Sequence, residues 1–337
     1  MDQGRLISLT ASELAPLWAQ YMNDSASICF LTYYLEKAED EEIKPVIAFA
    51  LELSQNHIEW LTALFKEEKQ VIPHGFKLEE DVDLQAPKLY SDTYVLQFLL
   101  QMAKNGLTTY SGAVTSSARE DITDYFMGCV SETMELYKRA KGVLLSKGLF
   151  IRPPSFPNQV NVEYVKKQGF VWDIFGDKRP LLAAEVGNLY ANLQRNDLGA
   201  ATLTGFSQVA KSKEVAEFFV KGIGIAKKHV RLFAEKLGEG DLPAPTSWAN
   251  DITVSTSQTF SDKLMMFMTT GMIGLSIGYY GTAVAQSPRV DIGLMYNRLS
   301  TEVQLYSEDG ANLMIKNGWM EQPPMAPDRD ELAKKRK

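Results

Sequence analysis

Residues 94–115 read YVLQFLLQMAKNGLTTYSGAVT and residues 264–285 read LMMFMTTGMIGLSIGYYGTAVA. The later stretch carries no charge and is long enough, as a helix, to cross a bilayer. Its partner decides how it is read. Met102 and Met272 share an offset of 170 residues, as do Tyr110 and Tyr280. In the earlier copy Gln97, Gln101, Lys104 and Asn105 suit a helix in a water-soluble bundle. The later copy is therefore expected to be a bundle helix and not a membrane span. Gly271, Gly274 and Gly278 then read as points of close helix packing.

The match extends outward over the whole chain. An offset of 172 pairs Glu13 with Glu185, Leu17 with Leu189, Leu31 with Leu203, Ala38 with Ala210, Glu42 with Glu214 and His57 with His229. After a two-residue deletion the offset is 170. It then pairs Ser91-Asp92 with Ser261-Asp262, Arg119 with Arg289, Asp121 with Asp291 and Glu132 with Glu302. Each copy ends in a glycine followed by prolines, Gly148 to Pro157 and Gly318 to Pro327. That pattern closes a helix and forbids its continuation. The expected organisation is a first bundle over residues 1–157, a linker over 158–179, a second bundle over 180–327 and a charged tail over 328–337. The aromatics Tyr164, Phe170, Trp172 and Phe175 suggest a linker that packs against the bundles.

Within each copy the apolar spacing is helical. Thr10-Ala-Ser-Glu13 is a capping box that opens the first helix. Leu14, Leu17, Tyr21, Ile28, Leu31 and Leu35 form its stripe. A second helix follows the acidic turn near Asp40. About twenty aperiodic residues precede a third helix from about Ser91 to Ser117 and a fourth from about Asp121 to Lys147. Short first and third connections make antiparallel pairs, while the long second one can travel the bundle length. The fold class is therefore all-α, as two tandem ferritin-like four-helix bundles, each with a long crossover between its second and third helices.

Bulk properties narrow the function. A net charge of -7 with mixed signs lacks the basic face that nucleic acid requires. The basic Lys334-Lys335-Arg336-Lys337 end reads as a solvated terminus. Cys29 and Cys129 have no metal or redox spacing and lie in apolar helical patterns, so buried free thiols in a reducing cytoplasm are expected. No signal peptide is visible.

Three polar residues interrupt the apolar stripes: Asp24, His57 and Glu132. Their counterparts are Asn196, His229 and Glu302. At about 1.5 Å rise per residue, the first three fall within roughly one and a half turns of a common level near mid-bundle. Such a set has the donor types for a single iron or other divalent metal ion per bundle. The alternative, preferred on the sequence, is a metal-free polar network in which the acid satisfies a buried imidazole. A di-iron centre needs Glu-x-x-His on two helices. Here the second helices read Ser54-Gln-Asn-His57 and Ala226-Lys-Lys-His229, so that centre is not expected. His74, beside Pro73 and Gly75, reads as a turn residue. Tyr110 and Tyr280 read as packed rings with a hydroxyl partner.

The strings Ala38-Glu-Asp-Glu-Glu-Ile43, Leu145-Ser-Lys-Gly-Leu149, Gly205-Phe-Ser-Gln-Val-Ala-Lys-Ser-Lys-Glu-Val215, Phe260-Ser-Asp-Lys-Leu-Met-Met-Phe267 and Ile315-Lys-Asn-Gly-Trp319 resemble a family of unknown function from spore-forming bacilli. That family carries a tandem ferritin-like domain, and some relatives are named as spore-coat proteins. The resemblance covers nearly the whole chain and implies the ferritin-like fold, but brings no catalytic residues. It leaves spore or other protein partners and homo-oligomers open. The leading expectation is a non-enzymatic binding or structural role. The alternatives are metal binding at mid-bundle and small-molecule binding between the bundles.

Overall fold

Ser91 and Ser261 each start a helix, because their hydroxyls accept the otherwise unpaired N–H groups of Tyr94 and Leu264 at 3.1 and 3.0 Å. These are the third long helices of two similar bundles. The computed structural model describes residues 7–172, 179–244 and 251–334. The first bundle holds α1 (Ala11–Lys37), α2 (Lys44–Glu67), the short α3 (Leu78–Asp81), α4 (Asp92–Ser116) and α5 (Glu120–Ser146). A single turn, α6 (Gly169–Trp172), precedes the second bundle. That bundle holds α7 (Ala183–Val209), α8 (Lys213–Gly238), α9 (Asp262–Gln286) and α10 (Val290–Lys316), and α11 (Arg329–Lys334) follows. The helix bounds agree with the periodicity to within a residue or so. Gly148 and Gly318 end α5 and α10 at φ of +69° and +68°. Only glycine takes that conformation without strain.

The chain order is helix pair, long crossover, helix pair in both copies, the all-α tandem repeat that was expected. Among the described residues no strand forms. The crossovers instead meet each other through isolated antiparallel bridges, Val82 with Phe260 and Tyr90 with Ile252. The N–H groups of Asp83 and Ser91 donate to the carbonyls of Thr259 and Asp251, and those of Ser261 and Thr253 donate back to Asp81 and Leu89. Beside this seam the two cores merge. Phe30 of α1 packs on Phe206 of α7 and Phe260, with ring centroids 6.0 and 4.7 Å apart. Tyr90 and Tyr94 hydrogen-bond Thr202 across the boundary at 2.6 and 2.7 Å. Rings therefore fill the space where the bundles meet at this level.

The far ends are tied by buried charge. Glu13 is fully buried and accepts the N–H groups of Thr10, Ala118 and Arg119 at 2.8, 2.9 and 2.8 Å. Burial opposes its charge, but these bonds outweigh it and bring the pKa down to about 2. Arg119 clamps Glu68 and Asp121, and Arg289 repeats the clamp on Glu239 and Asp291.

Two expectations need correction. Gly271, Gly274 and Gly278 of α9 are exposed, with nothing within reach of an added Cβ, so they are not packing points. Close approaches occur instead at positions such as Gly205 of α7, where a Cβ would collide with the Tyr90 ring, and Gly222 of α8, where it would meet Tyr306. Composition alone could not say which face of α9 turned outward. In the linker, Tyr164 is 81% exposed and does not pack, while Phe170 lies under the guanidinium of Arg179 at 4.4 Å. The side chain of Trp172 and all of Phe175 lie outside the described residues. Among the described residues no helix is long and apolar enough to cross a membrane.

Candidate metal centre

In the first bundle three helices converge at mid-height. α1 brings Asp24, α2 brings Ser54 and His57, and α5 brings Cys129 and Glu132. Ser54 with His57, and Cys129 with Glu132, stand three residues apart, so each pair shares a helix face. His57 is buried. Its Nδ1 lies 3.1 Å from Asp24 Oδ2 and its Nε2 lies 3.0 Å from Glu132 Oε2. Ser54 Oγ donates to the second Asp24 oxygen at 3.0 Å. Burial disfavours a charged ring, but hydrogen bonds to Asp24, Cys129 and Glu132 prevail and raise its pKa to about 12. Without metal the ring is an imidazolium held between two carboxylates.

The donor atoms of His57, Cys129 and Glu132 lie within 4.8 Å of one another. Among the described residues the buried Gln20 Oε1 lacks a partner, and the buried Tyr125 Oη has only the Cys129 thiol beside it. Both belong to this site: the Gln20 amide nitrogen donates to Cys129 Sγ at 3.7 Å, and the Tyr125 ring stands edge-on to His57. Orphaned buried polar atoms are uncommon and often mark the place of a bound water or ion. The Glu132 side chain is 43% exposed, so the site reaches solvent along α5.

The second bundle keeps the imidazole and the acid but changes their neighbours. His229 Nε2 lies 3.1 Å from Glu302 Oε2, as in the first copy. Its Nδ1 faces the Tyr280 hydroxyl at 2.8 Å instead of a carboxylate. Asn196 bonds that hydroxyl and does not meet the ring directly. Burial then outweighs the single acid and lowers the His229 pKa. Lys228 places its ammonium 2.8 and 2.9 Å from the two Glu302 oxygens. Leu299 stands where the first copy has Cys129.

The structure thus brings together Asp24, His57 and Glu132, and likewise His229 and Glu302 with Asn196 one bond away. Cys129 was read only as a buried thiol. The available signal was its spacing from Glu132 on one helix face. Lys228 was also missed, since a lysine beside a buried histidine reads as surface. Cys29 is a buried thiol away from the cluster, its pKa pushed up to about 12 by burial and the charges of Asp81 and Glu79. His74 is exposed and bonds Glu80 at 3.0 Å.

No functionally curated protein matches the chain. A solved structure from Bacillus halodurans, provisionally described as a spore coat protein, is similar at 19% identity. It covers 44% of this chain and 98% of its own length, with a TM-score of 0.40. The model of DUF3231, a family of proteins of unknown function, matches residues 3–162 and again residues 169–332. The chain belongs to that family and carries its domain twice.

Proposed function

We propose that the first bundle binds one divalent transition-metal ion through His57 Nε2, Cys129 Sγ and a Glu132 carboxylate oxygen, and that the second bundle binds none. The observation that carries this is the direction of the imidazole. The Nδ1–H donates to Asp24, which leaves Nε2 to face the thiol and the acid. A carboxylate behind a histidine is the usual arrangement for orienting a ligand ring and raising its basicity. Ser54 in turn holds Asp24. One nitrogen, one sulfur and one oxygen favour zinc or ferrous iron over magnesium or calcium. Three protein ligands leave a fourth position for water, beside the unpaired Gln20 Oε1.

The second bundle supports the reading by contrast. Its acid already holds a cation, the Lys228 ammonium, and it has a leucine in place of the thiol. In the first bundle a metal must displace the Nε2 proton, so metal and proton compete and binding strengthens as pH rises.

The test is metal analysis of untagged protein purified without chelator, followed by reconstitution with cobalt(II). One equivalent per chain is expected, with a thiolate-to-cobalt absorption. His57→Ala and Cys129→Ser should abolish both signals and His229→Ala should leave them intact. Substoichiometric metal that is indifferent to Cys129→Ser would leave a buried ion network with a purely structural role.

A further inference from the structure

Two aromatic rings lead from the candidate metal centre to the surface. Trp60 stands one turn beyond His57 on α2, and Tyr125 one turn before Cys129 on α5, so each ring shares a helix face with a donor. The Tyr125 ring is edge-on to the His57 imidazole, with centroids 6.1 Å apart and planes at 79°. It also lies flat on the Trp60 indole, with centroids 3.5 Å apart and planes at 4°. Packing alone does not select such full overlap, because ring quadrupoles favour offset or edge-on pairs at about 4.5–7 Å. Trp60 is half-buried, so the stack ends at solvent. The second copy lacks both rings. Leu232 repeats Trp60 and Met295 repeats Tyr125. Both of those residues pack in the apolar core, so the fold does not require rings at these positions. The aromatic pair is present where the thiol donor is present and absent where Leu299 replaces it.

We propose that this stack carries single electrons between a metal ion at His57 and an acceptor at the protein surface. The inference rests on the metal reading above and sharpens it, because it selects iron. Zinc has no second oxidation state for the rings to serve. In the step, Fe(II) loses one electron and becomes Fe(III), and a one-electron outer-sphere acceptor at Trp60 gains it. No bond forms or breaks and no proton moves, so the indole and the phenol keep their hydrogens. The π systems bridge the imidazole and solvent through one edge contact and one face contact. The Cys129 thiolate and the Glu132 carboxylate stabilise the added positive charge.

Stopped-flow oxidation of the full chain, loaded anaerobically with one equivalent of Fe(II), tests the proposal. The oxidant is ferricyanide, a bulky trianion that does not enter a packed bundle. Growth of the thiolate-to-iron(III) absorption gives the rate. Trp60→Leu and Tyr125→Met, which place the second copy's residues in the first, should each slow it by about tenfold or more with iron stoichiometry unchanged. Trp60→Phe and Tyr125→Phe keep a ring in place and should retain most of the rate, a pattern that a general loss of packing would not produce. A rate indifferent to the leucine and methionine variants, or lowered equally by Tyr125→Phe and Tyr125→Met, overturns the relay and leaves the metal site standing. Bound iron that ferricyanide does not oxidise has the same meaning. A chain that binds cobalt(II) but no Fe(II) overturns the relay alone, and one that binds neither overturns both readings.

Discussion

The Lys228 ammonium lies 2.8 and 2.9 Å from the two oxygens of Glu302, the residue that repeats Glu132. A fixed cation thus stands beside the acid in one copy, and the other copy offers a thiol instead. The position that repeats Lys228 in the first bundle is Asn56. Exchanging these features should move the metal. In a Cys129→Ser background, the double variant Lys228→Asn with Leu299→Cys is expected to gain cobalt(II) absorption that the background lacks. Either change alone should give none. Titration by absorbance checks this.

The two histidines should differ in charge at neutral pH in metal-free protein. His57 is pulled up to about 12 and His229 is pushed below its ordinary 6.5. Ring resonances in NMR should show His57 protonated and His229 neutral at pH 7. The linkage signs are opposite. Folded His57 binds more protons than unfolded between 6.5 and about 12, so its stabilisation is complete below 6.5 and is lost as pH rises through that span. Folded His229 binds fewer, so its contribution is present above 6.5 and is lost as pH falls through its lowered value. Replacing His229 with Gln should flatten the acid side of the stability curve, and His57→Gln the alkaline side, as read by urea unfolding.

Glu13 gives a second acid-side effect. Its folded pKa of about 2 lies below the ordinary 4.5, because backbone N–H groups outweigh its burial. The stabilisation is therefore complete above pH 4.5 and is lost as pH falls through about 2. Glu13→Gln should remove about 3 kcal/mol at neutral pH, the free-energy equivalent of that shift. Unfolding midpoints of the two proteins should converge at low pH.

Gly205 is set against Tyr90, whose hydroxyl bonds the Thr202 carbonyl and whose ring stacks on Tyr94 at 4.1 Å. The tyrosine cannot easily yield. Gly205→Ala should cost about 1–3 kcal/mol by overpacking. Gly187→Ala, on an open face of the same helix, should instead stabilise by about 0.5–1 kcal/mol. Chemical denaturation of both variants separates packing from backbone entropy.

Much of the fold was legible because helix period, caps and crossover length are local, and the repeat stated each of them twice. His57 and Glu132 were legible for the same reason, since helical rise alone sets their height. The misses all depend on rotation about a helix axis. Cys129 and Leu136 look alike as stripe residues, yet the thiol turns toward His57 while Leu136 joins the shared core. Gly271 and its neighbours turn outward, and Lys228 reaches back along α8 to an acid on α10. Those orientations follow from which bundle packs on which, and no single helix encodes that.

The pairing of the crossovers has a consequence for the covalent connection between the copies. Asp83, Ser91, Thr253 and Ser261 bind one repeat to the other through the backbone, beside the merged Phe30, Phe206 and Phe260 rings. Residues 158–167, by contrast, are exposed. A protease that nicks this tether should therefore release nothing. The two fragments would elute as one species from a sizing column and part only on denaturation, as an obligate heterodimer made from a single gene product.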